Sequence, residues 1–102
     1  MKLEVLHVPG CPNTAVLTER LDQLIVERGE VVLEQRVIRD QSEAAARGMT
    51  GSPTLLVDGV DPFAVAGLAP SVSCRLYLDE HGVSSGAPTV AQLRAALAGA
   101  GR

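Results

Sequence analysis

Leu3-Glu4-Val5-Leu6-His7-Val8-Pro9-Gly10-Cys11-Pro12-Asn13-Thr14 is the stretch on which the fold class turns. Leu3 to Val8 is mostly apolar and stops at Pro9-Gly10, which predicts a buried strand followed by a sharp turn. Pro12 follows at once. A proline gives up nothing in the first turn of a helix, where its missing N–H would be unpaired anyway, so it marks a helix start. Leu17, Leu21, Leu24 and Ile25 then recur at helical spacing on one face, and Gly29 ends the helix. Glu19, Arg20, Glu27 and Arg28 are left for its solvated side.

Outward from this stretch the same punctuation continues. Val31 to Ile38 predicts a second strand, joined to the first through a helix and therefore parallel to it, with a right-handed crossover. Asp40 with Glu43 three residues later predicts a capped short helix, stopped by Gly48. Thr54-Leu55-Leu56-Val57 is a third strand, opened by Ser52-Pro53 and closed by Asp58-Gly59. Residues 60–73 read as a long loop with a helical turn near Phe63. Arg75-Leu76-Tyr77-Leu78 is a fourth strand, antiparallel to the third, and His81-Gly82 turns the chain. Thr89 with Gln92 caps a last helix with Val90, Leu93 and Leu97 on one face, ending in an Ala/Gly-rich run over 95–101. The predicted class is α/β: a four-stranded mixed sheet in the order βαβαββα, flanked by helices, as one domain over 1–102. Helices on both faces account for a first strand without clean alternation.

Composition narrows the function classes. A chain of 102 residues supports one core. With one Phe, one Tyr and no Trp, that core rests on methyl packing. The net charge of −3 comes with no basic cluster, so the footprint of a nucleic-acid binder is missing. No apolar run approaches the roughly 18 residues of a membrane span. Two cysteines are too few for a disulfide scaffold. The first residues read as a strand and not as a signal peptide. These features lead to the expectation of a cytoplasmic domain that binds neither nucleic acid nor membrane.

Cys11 is the residue with chemistry to offer. It lies between the end of a strand and the first turn of a helix, where backbone N–H groups are unpaired and the helix dipole is positive. Both favour a thiolate, the form that acts as nucleophile and soft-metal ligand. Thr14, at i+3, shares that side of the first turn and can aim its hydroxyl at the sulfur.

Gly10-Cys11-Pro12-Asn13-Thr14 after a strand, followed by Gly51-Ser52-Pro53-Thr54 opening a later strand, resembles the thioredoxin superfamily, and most nearly its monothiol, glutaredoxin-like variants. The resemblance implies a thioredoxin-like fold and a cis Ser52-Pro53 bond with Pro53 beside the Cys11 sulfur. It also implies that the Ser52 backbone pairs with a bound peptide or glutathione. Thr14 stands where a thioredoxin has its resolving cysteine, so Cys11 cannot close the usual local disulfide. The implied activity is thiol–disulfide exchange of the monothiol type, with protein thiols, protein disulfides or glutathione as partners. No resident cofactor or metal is implied, glutathione entering only as a co-substrate.

Cys74 is the second cysteine. If the third and fourth strands form a plain hairpin, Cys74 starts at the end away from Cys11, about 15 Å off at roughly 3.3 Å per residue. A disulfide needs Cα atoms within about 7 Å. On that topology an external thiol resolves the Cys11 mixed disulfide. If residues 60–73 instead return to the active-site end, they bring Cys74 with them. The segments Thr54 to Phe63 and Ser73 to Tyr77 are also similar to small bacterial thioredoxin-fold proteins labelled alkylmercury-lyase-like. That resemblance implies soft-metal or organomercurial chemistry, with Cys11 and Cys74 as thiolates and Asp58 or Asp61 as the acid. A third reading is a non-catalytic module that docks through the loop 60–73. His7 reads as a strand histidine satisfied by its neighbours, and His81 as a solvated turn residue.

Overall fold

The computed structural model describes residues 1–100; the last residue of the Ala/Gly-rich run, Gly101, lies outside them. The first strand, β1 (Lys2–His7), leads into α1 (Pro12–Arg28), β2 (Val32–Val37) and α2 (Gln41–Arg47). Two short strands, β3 (Thr50–Ser52) and β4 (Thr54–Val57), flank Pro53. Then come β5 (Ser71–Cys74), β6 (Tyr77–Leu78), β7 (Ser84–Ser85) and α3 (Val90–Ala100). No helix among the described residues is long and apolar enough to cross a membrane.

Each helix starts where its capping chemistry allows. Asp40 Oδ1 accepts from Glu43 N at 2.8 Å, while Glu43 Oε1 accepts from Arg39 N at 2.7 Å. Thr89 and Gln92 form a full capping box: Thr89 Oγ1 accepts from Gln92 N and Gln92 Oε1 accepts from Thr89 N. Pro12 opens α1, and α1 stops before Gly29, whose φ of 67° favours glycine.

The central sheet has the order β2-β1-β4, with β2 parallel and β4 antiparallel to β1. Both faces are covered. Leu3, Val5, Leu55 and Val57 meet Leu17, Leu21 and Leu24 of α1 and Leu93 and Leu97 of α3. Leu6 and Leu56 meet Ile38, Met49 and Ala44 of α2 on the other side. Burying each such side chain contributes about 1.5–3 kcal/mol.

The expected fourth strand is where the architecture departs. Residues 75–78 do not return along β4, so the central sheet has three strands and the hairpin is absent. Instead β5, whose first three residues lie in the segment expected to be loop, pairs parallel with β3. Tyr77–Leu78 pairs with Ser84–Ser85 in a separate small ribbon. The cause is Arg75. The residue is 6% exposed. The guanidinium donates to Asp61 Oδ2 at 2.7 Å, to the Phe63 carbonyl at 2.7 Å, and to the Thr50 and Thr54 hydroxyls at 3.2 Å each. It also lies 4.6 Å from the Tyr77 ring centroid. A side chain that needs all these partners cannot stand on an ordinary strand beside β4. Gly51 makes room for it: a Cβ there would lie 2.7 Å from Arg75 Cβ, at a φ of +130°.

Arg75→Ala should destabilise the fold by about 3–5 kcal/mol, because it leaves the Asp61 carboxylate poorly solvated and unpaired. Arg75→Lys should recover little of that, since an ammonium lacks the planar fork that serves Asp61 and Phe63 together. Urea unfolding of the three proteins checks both expectations.

Candidate functional site

Cys11 is the N-cap of α1, with extended backbone at φ −70°, ψ 114°. Its N–H donates to the Val8 carbonyl at 3.3 Å, which closes the turn at Pro9-Gly10 and fixes the sulfur at the end of β1. The side chain is partly exposed. It borders an open groove of about 320 Å³ lined also by His7, Gly10, Thr14, Ala15, Thr18 and Gln35.

Ser52 and Thr14 approach the sulfur from the protein side. Ser52 is 1% exposed, and its Oγ accepts from Val8 N at 3.1 Å, which ties β3 to the end of β1. Thr14 is 7% exposed, and its Oγ1 has no hydrogen-bond partner among the described residues. Burial pushes the Cys11 thiol up, but this is outweighed. The Ser52 and Thr14 hydroxyls and the N–H groups of Asn13 and Thr14 hold it below its ordinary value. The neutral thiol makes no capping hydrogen bond, so these donors gain a full acceptor only when the sulfur ionises. No carboxylate occupies the first turn of α1 to offset its positive end.

The Ser52-Pro53 peptide bond is cis. The Pro53 carbonyl accepts from the Tyr77 hydroxyl at 2.5 Å. The Ser52 carbonyl accepts from Arg75 N at 3.1 Å. The backbone expected to be open to a peptide or glutathione is therefore already paired, at that oxygen, with the residue that follows β5. Burial raises the Tyr77 phenol far above its ordinary value, so it stays neutral and donates.

Cys74 does not open a strand that returns along β4, as the hairpin requires. The β3–β5 register sets it opposite Ser52. It is exposed, and it lines a different groove, of about 520 Å³, with Phe63, Val65, Leu68, Leu76 and Leu78. Cys11, Thr14 and Ser52 thus share one site, and Cys74 is one strand removed from it.

The remaining candidates lie elsewhere. Asp58 accepts from Lys2 N at 2.7 Å, at the end of β1 away from Cys11. Asp61 is committed to Arg75. His7 Nδ1 is 3.2 Å from the Val8 carbonyl, and the ring borders the Cys11 groove. His81 is exposed in its turn. Arg20 is not a solvated residue: it donates to the Pro88 carbonyl at 2.7 Å and to the Ala87 carbonyl at 3.4 Å. That contact holds the segment before α3 against α1, where a Cβ on Gly86 would lie 2.2 Å from the Asn13 side chain. Sequence reasoning missed Arg75, Tyr77, Gly86 and the side chain of Ser52. Only Ser52 carried a signal, through its place before Pro53.

The chain matches no family model, no curated protein and no solved structure.

Cys11 should react with iodoacetamide faster than Cys74 at pH 7, although Cys74 is the more exposed thiol. With its pKa lowered, Cys11 carries more thiolate at that pH. Thr14→Val and Ser52→Ala should each move the midpoint of the Cys11 alkylation profile to higher pH, which peptide mapping across a pH series reads directly.

Proposed function

We propose that this chain is a thiol–disulfide exchange protein of thioredoxin-like fold, with Cys11 as the attacking thiolate. The observation that carries the reading is Thr14 Oγ1, a buried hydroxyl without a partner beside a partly exposed sulfur. Leaving such a donor unsatisfied costs about 1–3 kcal/mol, a cost that ionising the sulfur relieves. A cysteine kept only for packing needs no such group.

The chemistry follows from that arrangement. The Cys11 thiolate attacks one sulfur of a disulfide lying in the groove. The Cys11–substrate S–S bond forms as the substrate's own S–S bond breaks, and the leaving thiolate takes a proton from solvent. Thr14 and Ser52 are positioning residues that hold the attacking charge. Among the described residues the groove lining contains no lysine or arginine. It offers no cation to the two carboxylates at each end of glutathione disulfide, and it suits a disulfide flanked by neutral groups. The soft-metal reading lacks support of the same kind, because Asp58 and Asp61 are both engaged away from Cys11.

Reduction of hydroxyethyl disulfide should fall to the uncatalysed rate in Cys11→Ser and run slower in Thr14→Val. The wild-type rate should rise with pH through the lowered Cys11 pKa and then level off. Hydroxyethyl disulfide should be used faster than oxidised glutathione. Full activity in Cys11→Ser would remove the reading.

A further inference from the structure

We infer that Cys74 is the thiol that resolves the mixed disulfide on Cys11. This rests on the exchange activity proposed above and names the group that completes it.

The register of β5 carries the inference. Thr50 pairs with Ser71, so regular parallel pairing would set Ser73 opposite Ser52. The ladder shifts between these positions, and Cys74 takes that place instead. Ser52 is the residue whose hydroxyl meets the Cys11 sulfur. Neighbouring strands lie about 4.8 Å apart, so the shift sets Cys74 one strand spacing from Ser52, the residue that touches the Cys11 sulfur. A disulfide needs the two Cα atoms within about 7 Å, and movement of the β5 end past Ser52 supplies that approach. The Arg75 N bond to the Ser52 carbonyl, at 3.1 Å, holds this register at the next residue. Gly51 holds it again, since any larger residue would strike Arg75 Cβ.

The two grooves set the direction of attack. A substrate sulfur bonded to Cys11 occupies the open groove between His7 and Gln35, and Ser52 is not part of that lining. Cys74 reaches Cys11 from the Ser52 side, leaving the groove free for the departing group. Displacement at sulfur needs attacker and leaving group on opposite sides. The Cys74 thiolate attacks Cys11 Sγ, the Cys11–Cys74 bond forms, and the Cys11–substrate bond breaks. The departing thiolate takes up one proton, replacing the one Cys74 has lost. Overall one substrate disulfide becomes two thiols, and two protein thiols become one disulfide, which a dithiol reductant returns to the start.

The test uses the intact reduced protein, Cys74→Ser, Cys74→Ala and Cys11→Ser, each mixed with one equivalent of hydroxyethyl disulfide, acid-quenched over time and weighed by mass spectrometry. The wild type should lose two hydrogens and keep no adduct, with Cys11 and Cys74 linked in the peptide map. Both Cys74 variants should accumulate a mercaptoethanol adduct on Cys11 that an added thiol removes. An adduct on Cys11 that persists in the wild type as long as in the Cys74 variants would overturn the inference while leaving the exchange activity standing. Linkage of Cys74 only to a second copy would overturn it too. An adduct that never forms on Cys11 in any protein would instead sink the exchange reading itself.

Discussion

One buried guanidinium governs the second half of this chain. Arg75 sits at 6% exposure, and its fork is shared among Asp61, Phe63, Thr50 and Thr54. Taking a charge out of water costs several kcal/mol unless paired and bonded groups offset it. The chain supplies them from the turn at Asp61–Phe63 and from both sides of Pro53. Once Arg75 is inside, the loop after Val57 cannot swing free and residues 71–74 cannot run along β4. They lie along β3 instead. The placement of β5, the ribbon after it and the exposed leucines all follow from that single burial.

The same burial explains how legible the chain is from sequence. Features with a local cause read directly: the Pro12 helix start, the capping pairs at Asp40 and Thr89, the leucine stripe of α1, and the parallel β1–β2 pair. Cys11 at a helix entry was legible for the same reason. Arg75-Leu76-Tyr77-Leu78 was not, because period-two reading puts leucines inside and arginine outside. Here Leu76 and Leu78 are 71% and 64% exposed, while Arg75 and Tyr77 are buried. A strand face is set by which side is satisfied, and a slip of one residue reverses every side chain. The partners that reverse it are twelve to twenty-five residues away in sequence. Ser71-Val72-Ser73-Cys74 alternates polar and apolar over only four residues, too short a run to distinguish it from loop.

At Cys11 burial and hydrogen-bond donors oppose each other, and the donors together prevail. Partial burial works against the thiolate, and donors work for it. Exposing the sulfur further would remove the burial penalty but also weaken every donor, because water competes with each. Burying it fully would shut the groove. The half-exposed position lets two protein hydroxyls and two backbone N–H groups act on the charge while one side stays open to a reactant. For such a group the sign of the linkage is fixed. A folded-state pKa below the unfolded one adds stability at high pH, above the unfolded value, and that stability is lost as pH falls through the folded value.

The hub and the site are joined by short steps. Tyr77 packs on Arg75 and donates to the Pro53 carbonyl; Arg75 N donates to the Ser52 carbonyl; Ser52 Oγ accepts from Val8 N and faces Cys11. Each step is a hydrogen bond or a ring contact, so the position of Ser52 against the sulfur depends on the register that Arg75 enforces. A helix N-terminus alone would lower the thiol pKa without choosing where a second group approaches. Here one buried charge sets the hydroxyl that stabilises the thiolate and the strand that carries the second cysteine. Stability in the loop and chemistry at Cys11 are therefore not independent properties of this chain, and a residue that never touches the sulfur fixes what surrounds it.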